Sequence, residues 1–532
     1  MTDRQRVVVV TGGGGGIGAA IAESASRTGA FVVTVDPLVS VDGSEQLPRS
    51  EQTTAGRIVA AGGAARTSGV SVTDESGIRQ LFHQLADEFG GLDAVVNVAG
   101  ISRPTGFAKG SDDDWRSVLS VHLDGYRNVL GAALPLMAAA GRGHILGVTS
   151  GSGWRSADAG AYGCAKRAVA SLTWQLGRHA PAGVVVNAIS PIAATRMVAA
   201  ALSRAQPASG SATGGLSLGS MPKPEHLGPL GAHLVRDGFA SCHGRVLFAG
   251  GSEVAVIDEP RLIEVVRSHD VPAPAHLLEA ATNIALAPAE ANQVSGGGGN
   301  ARFGSLFDES PVGALPATAT RSCAVVADRP EVAAALSGAL QARGVACQAI
   351  DDPASLAALD ALDAVVVALA GPPASRSAAS EWERVLDEHV AIVEQIQADA
   401  RWSRAVADLA TIRGRPIRLV TITDANNAGG RSRAQASAQL ARAGRTATGD
   451  LVLPFTVSVE ADCAEFNHGP AELAAHLACS PAAVGLAGAE LAAGPGWFGL
   501  RSHPRPLGSI SFGGPDVPPW FDDTLQEVVQ PR

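Results

Sequence analysis

The chain of 532 residues is predicted to fold as two tandem, doubly wound α/β units with parallel sheets, the second a degenerate copy of the first. Three observations predict this. Strand-like and helix-like runs alternate through the first half. A glycine-rich stretch without periodicity interrupts the chain from 293 to 321. After it, a second set of strand-like runs follows in the same order. The composition agrees: 46% of residues are apolar, 17% charged and only 4% aromatic, the profile of a globular α/β protein.

The alternation begins with RVVVVTG (6–12), a helical run from Ile17 to Thr28, AFVVTVD (30–36), a helix around Ala55–Ala61 and LDAVVNVAG (92–100). Such βαβαβ order implies a parallel sheet covered by helices on both faces. Further strands read at 144–150, 183–190 and 244–250. The run 205–221 is small, polar and glycine-rich, as loops are. Past the interruption, CAVVAD (323–328), LDAVVVALAG (362–371) and IRLVTITD (417–424) echo the first unit, and Trp382 and His389 keep the spacing of Trp115 and His122. The expected domains are therefore 1–292, a linker 293–321, a degenerate unit 322–515 and a tail 516–532.

A formal charge of −10 offers no basic footprint, which argues against nucleic acid or an anionic membrane surface as partner and for a small organic substrate. The start has no apolar run of signal-peptide length, and no stretch reaches the ~18 apolar residues of a membrane span, so a cytoplasmic protein is expected. Cys164, Cys242, Cys323, Cys347, Cys463 and Cys479 never approach a metal-ligand spacing and read as reduced thiols, with no metal site.

Three clusters carry chemistry. The turn Thr11-Gly-Gly-Gly-Gly-Gly-Ile17-Gly18 follows a buried-type strand and opens a helix, where side chains would block a pyrophosphate and the helix N-terminus would stabilise its charge. Asp36 ends the second strand, where a carboxylate accepts from ribose hydroxyls and repels a 2′-phosphate, favouring NAD over NADP. Tyr162 and Lys166 share one helix face at i, i+4, and a cation near a phenol lowers its pKa toward the working range of an acid/base. Both residue types are rare here, with two tyrosines and three lysines in the chain.

Together these residues resemble the short-chain dehydrogenase/reductase superfamily, over residues 1 to about 255: TGxxxGIG at 11–18, Asp36, NVAG at 97–100, a Thr/Ser-rich strand end at 149–152, YxxxK at 162–166, and Asn187 through Thr195. The resemblance implies Rossmann-like units and an oxidoreductase interconverting a secondary alcohol and a ketone. It implies that Gly12, Gly16, Ile17, Gly18, Asp36, Asn97, Ala99 and Gly100 line the dinucleotide, with Val72 beside the adenine. Lys166 would also hold the nicotinamide ribose, and Pro191, Ile192 and Thr195 would contact the nicotinamide amide. Tyr162 would be the acid/base and Ser150 would bind the substrate oxygen. Ser150 leaves one residue fewer before Tyr162 than the family usually does, and Thr149 leaves the usual number; the local pattern favours Ser150. His122 stands where the family's proton-relay Asn usually does, which leaves open a relay or a packed helix histidine. Ile192 replaces the usual Gly after Pro191, and narrowing near the nicotinamide is expected.

Within the superfamily the sequence is most similar to the 3-hydroxyacyl-CoA dehydrogenase module of multifunctional β-oxidation enzymes, through the insert 37–53, DDDWRSVLSVHLDG (112–125), VTSGSG (148–153) and NAISPIAATRM (187–197). That likeness extends the expected substrates to bulky alcohols, acyl-CoA among them. Two rival readings exist: a non-catalytic NAD-binding or regulatory protein, which predicts a missing Tyr–Lys–Ser group, and an epimerase or dehydratase, which would need a further acid/base beside Tyr162, where Asp158 is the nearby carboxylate.

The second unit cannot repeat this chemistry. Tyr126, Tyr162, Lys109, Lys166 and Lys223 all precede residue 224, Asp424 stands at the Ser150 position, and no glycine turn follows its first strand. A unit without a dinucleotide site is expected. Its helices near Trp382–Ala400 and Ala434–Arg445 should pack on those near Trp115–Ala140 and Tyr162–Arg178 as an intrachain pseudo-dimer, with or without a further homodimer of chains.

Overall fold

The computed structural model describes residues 4–48, 52–154, 159–204, 221–268, 273, 275–293, 320–371, 378–460 and 469–530. The 205–220 stretch, the linker from 294 to 319, Asp158 and Cys463 lie outside these residues.

The first nine strands are β1 (Val7–Thr11), β2 (Phe31–Val35), β3 (Ala64–Ser68), β4 (Ala94–Asn97), β5 (Gly143–Val148), β6 (Val184–Pro191), β7 (Val246–Gly250), β8 (Glu253–Ile257) and β9 (Leu262–Arg267). The second half supplies β10 (Ser322–Ala327), β11 (Ala346–Ala349), β12 (Ala364–Ala368), β13 (Ile417–Asp424), β14 (Val452–Val459), β15 (Glu490–Gly494), β16 (Trp497–Arg501) and β17 (Pro506–Ser511). They form two parallel-dominated sheets, ordered β17-β8-β7-β6-β5-β4-β1-β2-β3 and β11-β10-β12-β13-β14-β15-β16-β9. Val7 to Val10 have no exposed surface, as a central parallel strand covered on both faces requires, and their β-branched side chains suit that surface.

The sheet orders reveal an exchange that the expected boundaries miss. In each half an antiparallel hairpin, β7–β8 or β15–β16, closes the parallel run. The next strand then crosses over. β9 pairs with β16 of the second sheet, and β17 pairs with β8 of the first. The 1–292 and 322–515 segments thus each give an edge strand to the other's sheet. The expected tail also differs: Phe521–Val529 is a helix, and Phe521 and Leu525 are fully buried against the first sheet's core. The reason is burial, since an apolar pair at i, i+4 on a short amphipathic helix needs a surface to cover.

The two halves meet through helices. Gly160–His179 lies along Ala428–Thr448, with the Arg431 side chain donating to Gln175 Oε1 at 3.1 Å. Asp112–Leu119 meets Ile392–Arg413, where Gln397 donates to the Asp112 carbonyl and Arg404 lies 5.6 Å from the Trp115 ring. One apolar cluster runs without a break from Trp115, Leu119 and Leu172 to Ile392, Ile396 and Leu440, so these helices share a single core.

Candidate active site

The first sheet's strands end at a cleft of about 840 Å³, at the carboxyl edge where α/β sheets bind ligands. The glycine turn forms its floor. Gly12 adopts φ +66°, and a side chain there would sit 2.8 Å from the Ala99 amide. A Cβ on Gly18 would lie 2.3 Å from the Gly12 carbonyl oxygen, so the helix Gly16–Ser26 can start this close to β1 only as glycine. Above Gly16 the space is open, with Thr195 Cγ2 as the nearest atom at 3.8 Å. The turn is therefore shaped as a cradle at a helix N-terminus.

Asp36 closes the turn from the side, accepting from the Gly14 amide at 3.0 Å and the Leu38 amide at 2.8 Å. Ile17, Val72, Ala99, Gly100 and Pro191 line the cleft, whereas Gly18, Asn97 and Ile192 stand behind its wall. Asn97 is buried and takes the Thr11 hydroxyl at 2.7 Å. The Ile192 amide donates to the Ala249 carbonyl at 2.8 Å, and Ile192 is not among the residues that line the cleft.

At the other end of the cleft Ser150, Tyr162, Lys166 and His122 come together. Ser150 lies beside Tyr162, close enough for its side chain to favour the phenolate. Thr149 is turned away and donates to the Lys166 carbonyl at 2.5 Å. The Lys166 ammonium donates to the Val148 carbonyl at 2.6 Å and lies 5.6 Å from the Tyr162 ring centroid. Burial outweighs the lowering expected from the lysine: it raises the Tyr162 pKa, with the Ser150 side chain opposing it, while burial lowers Lys166 to about 7.

His122 sits in a π-helical turn, Ser120–Asp124, a form often found at functional sites. Its Nε2 lies 2.9 Å from the Ile101 carbonyl, which fixes the proton on that nitrogen. Burial, followed by the Lys166 charge, holds the ring neutral by lowering its pKa well below the usual value. Nδ1 is then a buried acceptor with no hydrogen-bond partner among the described residues, and the ring makes an edge contact with Tyr162 at 5.2 Å between centroids.

Two features escaped sequence reasoning. The Arg196 guanidinium stands 3.3 Å from where a Gly15 side chain would begin, over the glycine turn, and follows directly on Thr195. The insert after Asp36 also roofs the cleft, with Val41 accepting from the Ser102 amide and Asp42 accepting from Arg103. Its length was visible in the sequence; its direction depends on a contact with a loop some sixty residues away.

The model of the short chain dehydrogenase family matches residues 6–206. Over 257 residues the chain is 34% identical to cis-4-hydroxycyclohexanecarboxylate dehydrogenase of Sinomonas cyclohexanicum, covering 47% of this chain and 98% of that protein. The chain belongs to the short-chain dehydrogenase/reductase family. It is an oxidoreductase of that family, with its relatives matching the first half. Peroxisomal hydratase-dehydrogenase-epimerase of Neurospora crassa is 31% identical over 252 residues, 47% of this chain and 26% of that one, in keeping with the β-oxidation-like module. The N-domain of bacterial malonyl-CoA reductase, solved with NADP, superposes over 92% of this chain and 97% of its own with a TM-score of 0.64 at 16% identity, which shows a shared tandem fold. The second half carries a second parallel-dominated α/β sheet of the same kind as the first. Among the described residues no helix is long and apolar enough to cross a membrane.

Proposed function

We propose that the first half interconverts a secondary alcohol and a ketone with NAD, using Tyr162 as acid/base, Ser150 as the oxygen-binding donor and Lys166 as the supporting cation. The observation that carries this is the convergence of Ser150, Tyr162 and Lys166 at the far end of the cleft from the glycine cradle, with the Lys166 ammonium 5.6 Å from the Tyr162 ring centroid.

The residues present fit a nicotinamide dinucleotide. The open space over Gly16 and the Arg196 guanidinium suit a pyrophosphate at a helix N-terminus, and the Asp36 carboxylate suits an adenosine ribose with free hydroxyls. Gly12, Ile17, Val72, Ala99, Gly100, Pro191 and Thr195 would line it, with Lys166 at the second ribose. Once bound, the nicotinamide supplies the hydride acceptor for oxidation or the donor for reduction.

The chain's own part is proton transfer and orientation. Burial keeps the Tyr162 phenol protonated at neutral pH, the form that donates to a carbonyl oxygen during reduction. For oxidation the phenol must first lose its proton, and the Lys166 charge favours the phenolate so formed. Ser150 then holds the substrate oxygen while Tyr162 takes the hydroxyl proton. His122 Nδ1, an acceptor beside Tyr162, would hold a relay group in this mechanism. A bulky alcohol, cyclic or 3-hydroxyacyl, is the favoured substrate class, given the size of the cleft and the names of the relatives. The second half serves as an internal partner in place of a second subunit, forming a pseudo-dimer through the shared helix core.

The test is a panel of cyclic alcohols, including 4-hydroxycyclohexanecarboxylate, and 3-hydroxyacyl-CoA thioesters, assayed with NAD and NADP for nicotinamide absorbance. Turnover of one class with NAD supports the proposal. Binding of NADH without turnover of any alcohol or ketone contradicts it.

A further inference from the structure

Arg167 follows Lys166 on the Gly160–His179 helix and has no exposed side-chain surface. It faces two ways. One arm reaches its own half, where Nη1 lies 3.4 Å from the Gly153 carbonyl, and the backbone of Gly153 packs so closely on this helix that a Cβ there would stand 2.9 Å from the Arg167 amide nitrogen. Gly151–Gly153 is the 3-10 turn that Ser150 caps, its Oγ accepting from the Ser152 amide. The other arm reaches into the second half. Nη2 donates to Glu490 Oε1 at 2.5 Å, and Nε donates to the Gln435 side chain.

Glu490 opens β15 and is itself buried, at 5% side-chain exposure. It accepts a second guanidinium, Arg442, at 2.9 Å. Burial would raise its pKa, but Arg167 and Arg442 together hold it below the ordinary value, so the carboxylate is charged. A buried ion pair of this kind is weak evidence for stability, because hydrophobic residues often replace one at no cost; fixing geometry is the better-attested use. Here the geometry concerns the Ser150 turn.

We propose that Glu490, in the half without an active site, is a positioning residue for the first half's site: through Arg167 it holds the Gly151–Gly153 turn and so fixes Ser150 against Tyr162. The inference rests on the functional reading only for its effect on turnover. The contacts themselves put the second half in direct touch with the helix that carries Tyr162 and Lys166. Misplacement of a reacting group by ~1 Å costs roughly a hundredfold in rate, so a turn held from outside its own domain is a sufficient lever.

Arg442 provides an internal control. Arg167→Met and Arg442→Met each remove one of the two guanidinium groups and leave Glu490 with the other. Only Arg167 touches Gly153; Arg442 reaches the Gly488 carbonyl instead. Hydrogen exchange of the full chain, read at the amides of residues 151–154, should accelerate by about tenfold or more in Arg167→Met and Glu490→Gln and stay as in wild type in Arg442→Met. The turnover number should fall about tenfold or more in the first two with the NADH dissociation constant unchanged, and hold in the third. Equal acceleration in both arginine variants, or none in Arg167→Met, overturns the proposal. A loosened turn in a protein whose wild type turns over no alcohol upholds the positioning contact and overturns the functional reading instead.

Discussion

Thr149 gives its hydroxyl to the Lys166 carbonyl at 2.5 Å, while its neighbour Ser150 lines the cleft beside Tyr162. Two adjacent hydroxyls thus face different tasks, and they should fail differently. Ser150→Ala should lower turnover by ~10²–10³, the effect of losing one donor at a developing oxyanion, with thermal stability retained. Thr149→Val should chiefly lower the melting temperature. Steady-state kinetics beside thermal melts check this, and a larger kinetic loss in Thr149→Val than in Ser150→Ala would reverse the assignment.

Asp36 binds two backbone amides through its two oxygens and still lines the cleft. Asp36→Asn keeps an acceptor for the Gly14 amide and removes the charge that would repel a 2′-phosphate. The ratio of kcat/KM for NAD to that for NADP should fall by about tenfold or more, because hydrogen bonds to a charged group contribute ~1.5–3 kcal/mol. Competition kinetics with both cofactors measure it. An unchanged ratio would mean that cofactor choice is made elsewhere.

Phe521 lies in a segment that reads as a tail, yet it is fully buried against the first sheet's core and forms an edge contact with His233. Phe521→Ala should cost about 3–5 kcal/mol, the range for a truncated core aromatic. Urea unfolding followed at several wavelengths gives the value. A loss below about 1 kcal/mol would place the helix outside the cooperative unit.

His389 and His476 are buried with pKa values lowered to about 4, chiefly by burial. Between that value and the ordinary 6.5 the unfolded chain binds protons that the folded chain does not, so stability falls as pH drops from 6.5 toward 4 and is fully present above 6.5. His389 touches the Val385 carbonyl and the Ser432 hydroxyl, and His389→Gln should flatten this slope. Unfolding free energies at a series of pH values test it; a slope as steep in the variant as in wild type would exclude His389 as a source.

Much of the fold was legible because local patterning and burial agree. Four valines before a glycine turn predict a central strand and its phosphate-type turn, and the echo of LDAVV in both halves marks β4 and β12. The strand exchange was not legible, because β9 and β17 are short, half-exposed edge strands whose alternation fits either sheet. In the site, spacing alone brings Tyr162 to Lys166, since one helix carries both. Choosing Ser150 over Thr149 required knowing which way a strand end turns. The sense of the Tyr162 shift also lay beyond the sequence, because it depends on how deeply the phenol is buried, and the role of Arg167 depends on a carboxylate 323 residues away.

In the proposed mechanism Tyr162 moves the proton. Tyr162→Phe removes one oxygen from a half-buried ring that otherwise keeps its packing. With the substrate identified by the panel, the variant should bind NADH with an affinity near that of wild type and lose turnover by ~10²–10⁴, the usual contribution of a general acid/base. Turnover within a few fold of wild type, with NADH still bound, would contradict it.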